Sequence, residues 1–296
     1  METELYGIIP PLTTPFTADG EVYEEGLRRL VAFQIEKGSH GLFICGTYGS
    51  GPLMSVAQRK QVHEIVMGES AGRITVVAHV GTANTSDAVE LARHAEATGI
   101  PYVSSISPFY YRHDERSLLA YFETLVAAVD VPVYVYNNPQ AAAVAVSGGL
   151  LRRLADVGVQ GIKDSGFSYI DFTHLVLAMQ DRPEFRFIVG TEGIALAAWM
   201  AGAKGCVAGL ANAFPELMVE FWNLYQARDY EGAAHLQLRV NRARQILHIP
   251  SSTNAACYTA LQARGIDVGM PKLPVLPVEQ QKADEMLGAF HELGLL

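Results

Sequence analysis

Short, uninterrupted apolar runs alternate along this chain with longer segments in which apolar residues recur every three or four positions. Runs of the first kind predict strands covered on both faces, and segments of the second kind predict amphipathic helices. Such alternation is typical of a parallel sheet built from strand–helix units. We predict eight strands, at residues 7–13, 41–45, 74–79, 102–107, 132–136, 159–163, 186–190 and 204–208.

Capping signals support the helices that connect these strands. The first helix is predicted over 24–37, where the apolar residues share one face. Ser55 and Gln58 have the spacing of a capping box at the start of the second helix. Ser86 is predicted to cap a third helix over 87–98.

Eight strands, each followed by a helix, predict a (β/α)8 TIM barrel. A doubly wound open sheet is the main alternative, but it normally carries a glycine-rich dinucleotide turn after its first strand. The corresponding turn here is Thr13-Thr14-Pro15-Phe16, so the pattern favours the barrel.

The strand pattern stops near Pro215, and the rest of the chain is predicted to be helical apart from a proline-rich connector. We expect residues 1–213 to form the barrel. Residues 214–296 are predicted to form a C-terminal helical appendage that packs on it within one structural unit.

Composition narrows the class of protein. The chain has 296 residues, of which 49% are hydrophobic, and this is enough for one large core. Its net charge of −9 argues against nucleic acid and anionic membranes as partners. The three cysteines lack C-x-x-C spacing, and we expect them to be core thiols in a reducing compartment. The N-terminus has no apolar signal-peptide region, so we expect a soluble, cytoplasmic protein.

Active sites of barrels form at the C-terminal ends of the strands. Lys163 ends the sixth predicted strand, where desolvation would lower its pKa and let the neutral amine attack a carbonyl to form a Schiff base. An ordinary rim lysine is the alternative. Tyr136 ends the fifth strand, where its phenol could exchange protons with an intermediate or simply bond to the backbone.

Other strand ends supply candidates for substrate binding. The loop 46–51 is rich in glycine, and its N–H groups could bind a carboxylate, although a tight turn would need the same glycines. Glu192 could contact substrate hydroxyls or favour the start of the following helix. Val207 of the eighth strand is a further substrate-binding candidate. His79 is expected to be a hydrogen-bonded core histidine.

The nine histidines show no spacing that indicates a metal site, such as H-E-x-x-H. We therefore predict no metal and no organic cofactor.

Five motifs follow one another along the chain: Thr14-Pro15, Gly46-Thr47-Tyr48-Gly49, Pro108-Phe109-Tyr110, Tyr136-Asn137-Asn138-Pro139 and Gly161-Ile162-Lys163. Any one alone is weak, but five in order are highly specific. Over essentially its whole length the chain resembles the pyruvate-dependent class I aldolases of the dihydrodipicolinate synthase and N-acetylneuraminate lyase superfamily.

The resemblance implies roles for the candidate residues. Lys163 would form the Schiff base with pyruvate or another 2-keto acid, and Tyr136 would be the proton shuttle. Thr47, with Gly46 and the backbone of Tyr48, would bind the carboxylate. Tyr110 matches a tyrosine that reaches across a dimer interface into the neighbouring site. The resemblance also implies a homo-oligomer, either a dimer or a dimer of dimers.

Three positions depart from the family pattern. Ala141 occupies the place of an arginine that binds the second substrate's carboxylate in the synthase, which argues against that reaction. Tyr48 and Ser50 replace the usual threonine and glutamate of the G-T-T-G-E loop. The bulk of Tyr48 is expected to narrow the pocket or change its polarity.

Two further cues conflict over the branch of the family. Gly51-Pro52-Leu53 and Lys163-Asp164 are similar to the 2-keto-3-deoxygluconate aldolase branch, whereas His79-Val80-Gly81 is similar to the neuraminate lyase branch. The leading expectation is retro-aldol cleavage of a 2-keto-3-deoxy sugar acid or a similar 4-hydroxy-2-keto acid. The alternatives are a hydro-lyase that uses the same imine, dihydrodipicolinate synthase, and a non-catalytic keto-acid binding protein.

Overall fold

The structure is a computed structural model that describes residues 5–296. All eight predicted strands are present, every pair is parallel, and the order is β1-β8-β7-β6-β5-β4-β3-β2. The strands are β1 (Gly7–Ile8), β2 (Gly41–Ile44), β3 (Thr75–His79), β4 (Tyr102–Ile106), β5 (Val133–Asn137), β6 (Gly161–Asp164), β7 (Arg186–Val189) and β8 (Gly205–Cys206).

The barrel closes between β2 and the chain that follows β1. Phe43 N donates to Pro10 O at 3.0 Å, and Leu12 N donates to Phe43 O at 2.9 Å. The first strand is shorter than predicted because Pro10 and Pro11 have no N–H group to continue a regular ladder. The predicted (β/α)8 barrel is confirmed.

Helices alternate with the strands and then fill the C-terminal part. They are α1 (Glu24–Glu36), α2 (Val56–Ser70), α3 (Thr85–Ala97), α4 (Glu115–Val126), α5 (Pro139–Ala142), α6 (Gly148–Asp156), α7 (Tyr169–Ala178), α8 (Ala195–Met200), α9 (Pro215–Gln226), α10 (Tyr230–Leu247), α11 (Thr253–Ala263) and α12 (Gln280–Glu292). A short 3-10 turn follows each of three strands: Gly51–Leu53 follows β2, Glu192–Ile194 follows β7 and Gly209–Asn212 follows β8.

One predicted cap is confirmed and another is wrong. The Ser55 side chain accepts from Gln58 N at 3.2 Å, and Gln58 Oε1 accepts from Ser55 N at 3.3 Å, so α2 begins with a capping box. The cap of α3 is Asn84 rather than Ser86, because the Asn84 side chain accepts from Ser86 N at 2.9 Å. Asn84 is still extended, and the helix starts at Thr85.

The apolar core has two layers. An inner cluster fills the barrel and includes Ile9, Phe43, Val77, Ile188 and Val207. A larger cluster lies between the barrel and its helices. The strands are buried on both faces, which explains why they are apolar throughout instead of alternating.

The C-terminal helices hold the open end of the barrel. Helix α9 packs beside β1, and α11 reaches the loop that follows β2. The Tyr258 hydroxyl of α11 donates to Thr14 O at 2.6 Å, at the end of the first barrel segment. The boundary between residues 213 and 214 stays a prediction. Across residues 5–296, no helix has both the length and the apolar content needed to cross a membrane.

Candidate active site

Lys163 lies in the interior of the barrel with only 5% of its surface exposed. Strand β6 directs it toward two aromatic rings, and its Nζ lies 3.9 Å from the ring centre of Phe43 and 3.7 Å from that of Tyr136. Burial lowers the pKa of Lys163, and the interaction with Tyr136 opposes this only in part. The side chain therefore has more of the neutral, nucleophilic amine than an exposed lysine would have.

Tyr136 pairs with Lys163 across β5 and β6. Burial raises the pKa of Tyr136, but the charge of Lys163 and side-chain hydrogen bonds from Thr47, Asn138 and Ser165 outweigh it, so the pKa is lowered overall. Asn138 Nδ2 donates to the phenol oxygen at 3.1 Å. An amine and a phenol whose pKa values are both lowered can exchange protons with an intermediate held between them.

The loop 46–51 turns sharply after β2. Cys45 and Ser50 are in the left-handed region, with φ of 57° and 56°. A Cβ at Gly51 would overlap the carbonyl oxygen of Cys45, so this position requires glycine. Gly51 N donates to Gly46 O at 3.0 Å and closes the turn.

Two groups of this loop are free to bind an anion. Within the described chain, the N–H groups of Thr47 and Tyr48 donate to no protein acceptor. The Thr47 side chain bonds to Tyr136, so the structure brings Thr47, Tyr136 and Lys163 together. These donors beside an amine nucleophile suit a small carboxylate.

Tyr48 fills the side of the opening between the loops after β2 and β8. Its ring packs so closely on Gly209 that a Cβ there would overlap the phenol oxygen. Burial and the nearby Cys257 and Glu192 raise the pKa of Tyr48, which keeps it a neutral phenol. That Tyr48 narrows the pocket stays a prediction.

Glu192 and Val207 occupy different depths of the site. Glu192 is buried in the 3-10 turn after β7, and its Oε1 accepts from Leu210 N at 3.4 Å. Val207 is buried with Lys163 around a small cavity inside the barrel. Glu192 is thus near Tyr48 at the opening, whereas Val207 lines the same small interior cavity as Lys163.

Tyr110 is separate from this cluster within one chain. It is 86% exposed, has a φ of 80°, and its ring meets that of Tyr111 at 5.0 Å. None of its contacts within residues 5–296 is with Lys163, Tyr136 or Thr47.

Two residues near the site were not found from the sequence. Arg59 is buried in α2, and its guanidinium donates to the carbonyls of His79 and Gly81 at the end of β3. Asn254 of α11 donates to Tyr48 O at 2.6 Å and holds the loop 46–51 from the C-terminal side. In residues 5–296, no three His, Cys, Asp or Glu side chains are arranged to hold a metal ion.

A closed (β/α)8 barrel with a buried lysine on β6 and a tyrosine opposite it on β5 is the architecture of a lysine-dependent aldolase class. The comparisons agree with this class. The sequence model of the Dihydrodipicolinate synthetase family matches residues 4–292. A 4-hydroxy-tetrahydrodipicolinate synthase of Rhizobium meliloti is 32% identical over 292 residues, covering 98% of this chain and 99% of the relative.

Two solved structures are also similar. YagE of E. coli K12, a prophage protein of the dihydrodipicolinic acid synthase family in complex with pyruvate, has a TM-score of 0.94 at 24% identity, covering 99% of each chain. A catalytic lysine mutant of Ruminococcus gnavus sialic acid aldolase has a TM-score of 0.92 at 26% identity, covering 98% of this chain and 95% of that one. This chain belongs to the Dihydrodipicolinate synthetase family, and it is a lyase.

Proposed function

We propose that this protein is a class I aldolase that cleaves a 2-keto-3-deoxy sugar acid, or a similar 4-hydroxy-2-keto acid, through an imine on Lys163. The observation that carries the proposal is the contact of Lys163 Nζ with the Tyr136 ring at 3.7 Å inside a buried site. Burial favours the neutral amine, and the phenol beside it has a lowered pKa.

The chemistry follows from these two groups. The neutral amine attacks C2 of the keto acid, and the Tyr136 phenol gives its proton to the hydroxyl of the carbinolamine, which leaves as water. The product is a protonated imine, which withdraws electrons from C3, beside a phenolate. Tyr136, as the phenolate, takes the proton of the C4 hydroxyl while the C3–C4 bond breaks and an aldehyde leaves. The phenol then returns this proton to C3 of the enamine. Water hydrolyses the protonated imine to release pyruvate and the neutral lysine, and the proton set free in this step restores the Tyr136 phenol.

The carboxylate of the substrate is assigned to the loop 46–51. The Thr47 hydroxyl and the free N–H groups of Thr47 and Tyr48 provide neutral donors. An anion bound there would place C2 of a keto acid near Lys163, because the Thr47 side chain bonds to the tyrosine that contacts the lysine.

The remainder of the pocket supports a hydroxylated substrate. Ala141 lies within the short helix α5 that follows β5 and is exposed, and its methyl side chain presents no charge to a second carboxylate. Glu192 and the neutral phenol of Tyr48 lie on the other side of the opening, and both can hydrogen-bond to hydroxyl groups. A polyhydroxy chain fits this polarity better than a second acid does.

Synthesis of 4-hydroxy-tetrahydrodipicolinate is a second candidate, because it is the activity for which the Rhizobium meliloti relative is named. Ala141 argues against it, since no arginine is present at that place. Dehydration of a keto-deoxy sugar acid through the same imine is a third candidate, and only product analysis separates it from cleavage.

Borohydride trapping tests the proposal. The protein is incubated with pyruvate and sodium borohydride, digested and mapped by mass spectrometry, and we expect the reduced pyruvyl adduct on Lys163. Absence of the adduct with pyruvate and with several longer 2-keto acids would refute the mechanism. Products from 2-keto-3-deoxy acids then distinguish pyruvate plus an aldehyde from a dehydrated keto acid, and a parallel assay looks for 4-hydroxy-tetrahydrodipicolinate.

We assign Tyr110 to the site of a neighbouring copy in a homo-oligomer. Its ring is solvent-exposed in one chain, and its backbone is held at a positive φ, a conformation that residues other than glycine rarely adopt. A further set of exposed apolar side chains supports self-association: Phe167, Ile170, Leu177 and Met200. The three buried free cysteines support the expectation of a reducing, cytoplasmic setting.

A further inference from the structure

His79 ends β3 and is buried directly behind the two reactive groups. Its ring centre lies 5.8 Å from that of Tyr136, with an angle of 87° between the rings, and 5.9 Å from that of Phe43. The imidazole thus packs nearly at a right angle to the phenol ring that contacts Lys163.

The hydrogen bonds of His79 define its tautomer. Ile106 N donates to Nε2 at 3.2 Å, so Nε2 carries no proton. The proton of the neutral ring is therefore on Nδ1, which lies 3.2 Å from the carbonyl oxygen of Cys45 and donates to it. Burial and the positive charges of Arg59 and Lys163 hold the pKa of His79 well below its usual range, so the ring stays neutral.

The bond to Cys45 has a particular position. The backbone of Cys45 is in the left-handed region although the residue is not glycine, and Cys45 comes immediately before the loop 46–51. Its carbonyl oxygen faces Gly51, where a Cβ could not fit. Any rotation of the Cys45 peptide would therefore displace the Thr47 and Tyr48 donors.

Arg59 fixes His79 in turn. Its guanidinium is buried and donates to His79 O and, at 3.1 Å, to Gly81 O. The end of β3 is held from helix α2, and the imidazole is held between the neighbouring strands β2 and β4.

We infer that His79 is a positioning residue for the keto-acid carboxylate, because its Nδ1–H group holds the Cys45 carbonyl that sets the loop 46–51. The inference rests on the proposed function, in which that loop binds the carboxylate and Lys163 forms the imine. His79 itself touches neither the substrate nor the reacting atoms.

Two substitutions of His79 each remove one of its two hydrogen bonds and keep the other. His79→Asn keeps an N–H donor one bond from Cγ, which can still reach Cys45 O, and loses the acceptor for Ile106 N. His79→Gln keeps an acceptor one carbon further out, near the position of Nε2, and loses the donor at the position of Nδ1. His40→Gln is the matched control, since His40 Nδ1 accepts from Ile8 N at the same 3.2 Å at the opposite end of the barrel.

The measurement is the pyruvate concentration that gives half-maximal borohydride trapping on Lys163, with thermal unfolding recorded for each folded variant. We expect His79→Gln to raise that concentration about tenfold, while trapping at saturating pyruvate is retained. His79→Asn and His40→Gln are expected to stay within about twofold of the wild type. A merely structural role would lower the unfolding temperature without separating the Asn variant from the Gln variant.

Equal half-saturating concentrations in the Gln and Asn variants would overturn the inference. A rise of about tenfold in the Asn variant alone would also overturn it, and this arm remains decisive if the Gln variant does not fold. Failure of the proposed function is a different result, since wild-type Lys163 would then show no adduct at any pyruvate concentration.

Discussion

Tyr136 lies opposite Lys163 in the β5–β6 pair, and the lysine Nζ is 3.7 Å from the centre of the tyrosine ring. Burial lowers the pKa of Lys163. Burial raises the pKa of Tyr136, but the lysine charge and three hydrogen bonds lower it by more. The two strands thus fix an amine and a phenol in register, and each group changes the pKa of the other.

Replacing Lys163 by methionine should abolish trapping and lower turnover by at least about 10⁴-fold, because Lys163 is the lysine that lines the interior cavity and contacts Tyr136. The unfolding temperature at pH 7 should not fall. Methionine fills a similar volume and removes the cost of a buried, desolvated ammonium group. An assay of product formation checks the loss of turnover, and thermal unfolding checks the stability. Retained turnover in this variant would contradict the role of Lys163.

The same variant gives a stability test with a defined sign. The folded-state pKa of Lys163 is below its usual value of 10.5, so in the window between the two the unfolded chain binds more protons than the folded chain. Wild-type stability therefore rises with pH there, and the lowered pKa of Tyr136 acts in the same direction. The unfolding temperature of Lys163→Met, relative to wild type, should be highest near neutral pH and should decline toward about pH 10. A difference that is constant with pH would show that the lysine is not desolvated.

Replacing Tyr136 by phenylalanine should lower turnover by about 10²- to 10³-fold and slow imine formation much less. The phenol raises the pKa of Lys163, so its removal should lower that pKa further and allow trapping to continue at lower pH. Rapid-quench trapping and steady-state rates, each measured against pH, separate the two steps. Tyr121→Phe is the control. Tyr121 lies in helix α4, and its hydroxyl is hydrogen-bonded to the Ser105 hydroxyl at 2.7 Å rather than to the lysine. Equal losses in both steps for Tyr136→Phe would argue against a proton shuttle.

Gly51→Ala should destabilise the protein by about 2 kcal/mol or more and weaken pyruvate binding, because the new methyl group meets the Cys45 carbonyl in a loop that cannot move away. Gly288→Ala is the matched comparison. Gly288 lies within α12 with open space around it, so alanine should stabilise the protein by roughly 0.5–1 kcal/mol. Urea unfolding measures both effects, and a neutral Gly51→Ala would mean that the loop is not tightly constrained.

Mixing two inactive variants tests whether Tyr110 acts in a neighbouring copy. Tyr110→Phe and Lys163→Met should each be impaired, but an equal mixture that exchanges subunits should recover about a quarter of wild-type activity if the unit is a dimer. In a mixed dimer, the intact Lys163 of one copy meets the intact Tyr110 of the other. No recovery, with subunit exchange verified by native mass spectrometry, would place Tyr110 outside the reaction.

The strands were predictable because burial on both faces leaves a continuous apolar run, and the position of Lys163 followed from the end of one such run. Arg59 was not predictable, since within α2 it has the spacing of an ordinary surface charge, and only the packing of that helix on β3 buries it. Asn254 is 206 residues from Tyr48, and a contact so distant leaves no local pattern. The cap at Asn84 was missed because Asn84 and Ser86 are both good capping residues two positions apart.

The attachment of helix α11 to the start of the barrel has a consequence for synthesis of the protein. Asn254 donates to the carbonyl of Tyr48, and Tyr258 donates to that of Thr14, so the loop 46–51 and the end of the first barrel segment are both held by residues near the end of the chain. A nascent chain that has released all eight strands from the ribosome still lacks these two anchors. Both anchors are therefore added only when α11 has left the ribosome, and a fragment that ends after β8 should lack the contacts that hold the loop 46–51 and the Thr14 carbonyl from the C-terminal side.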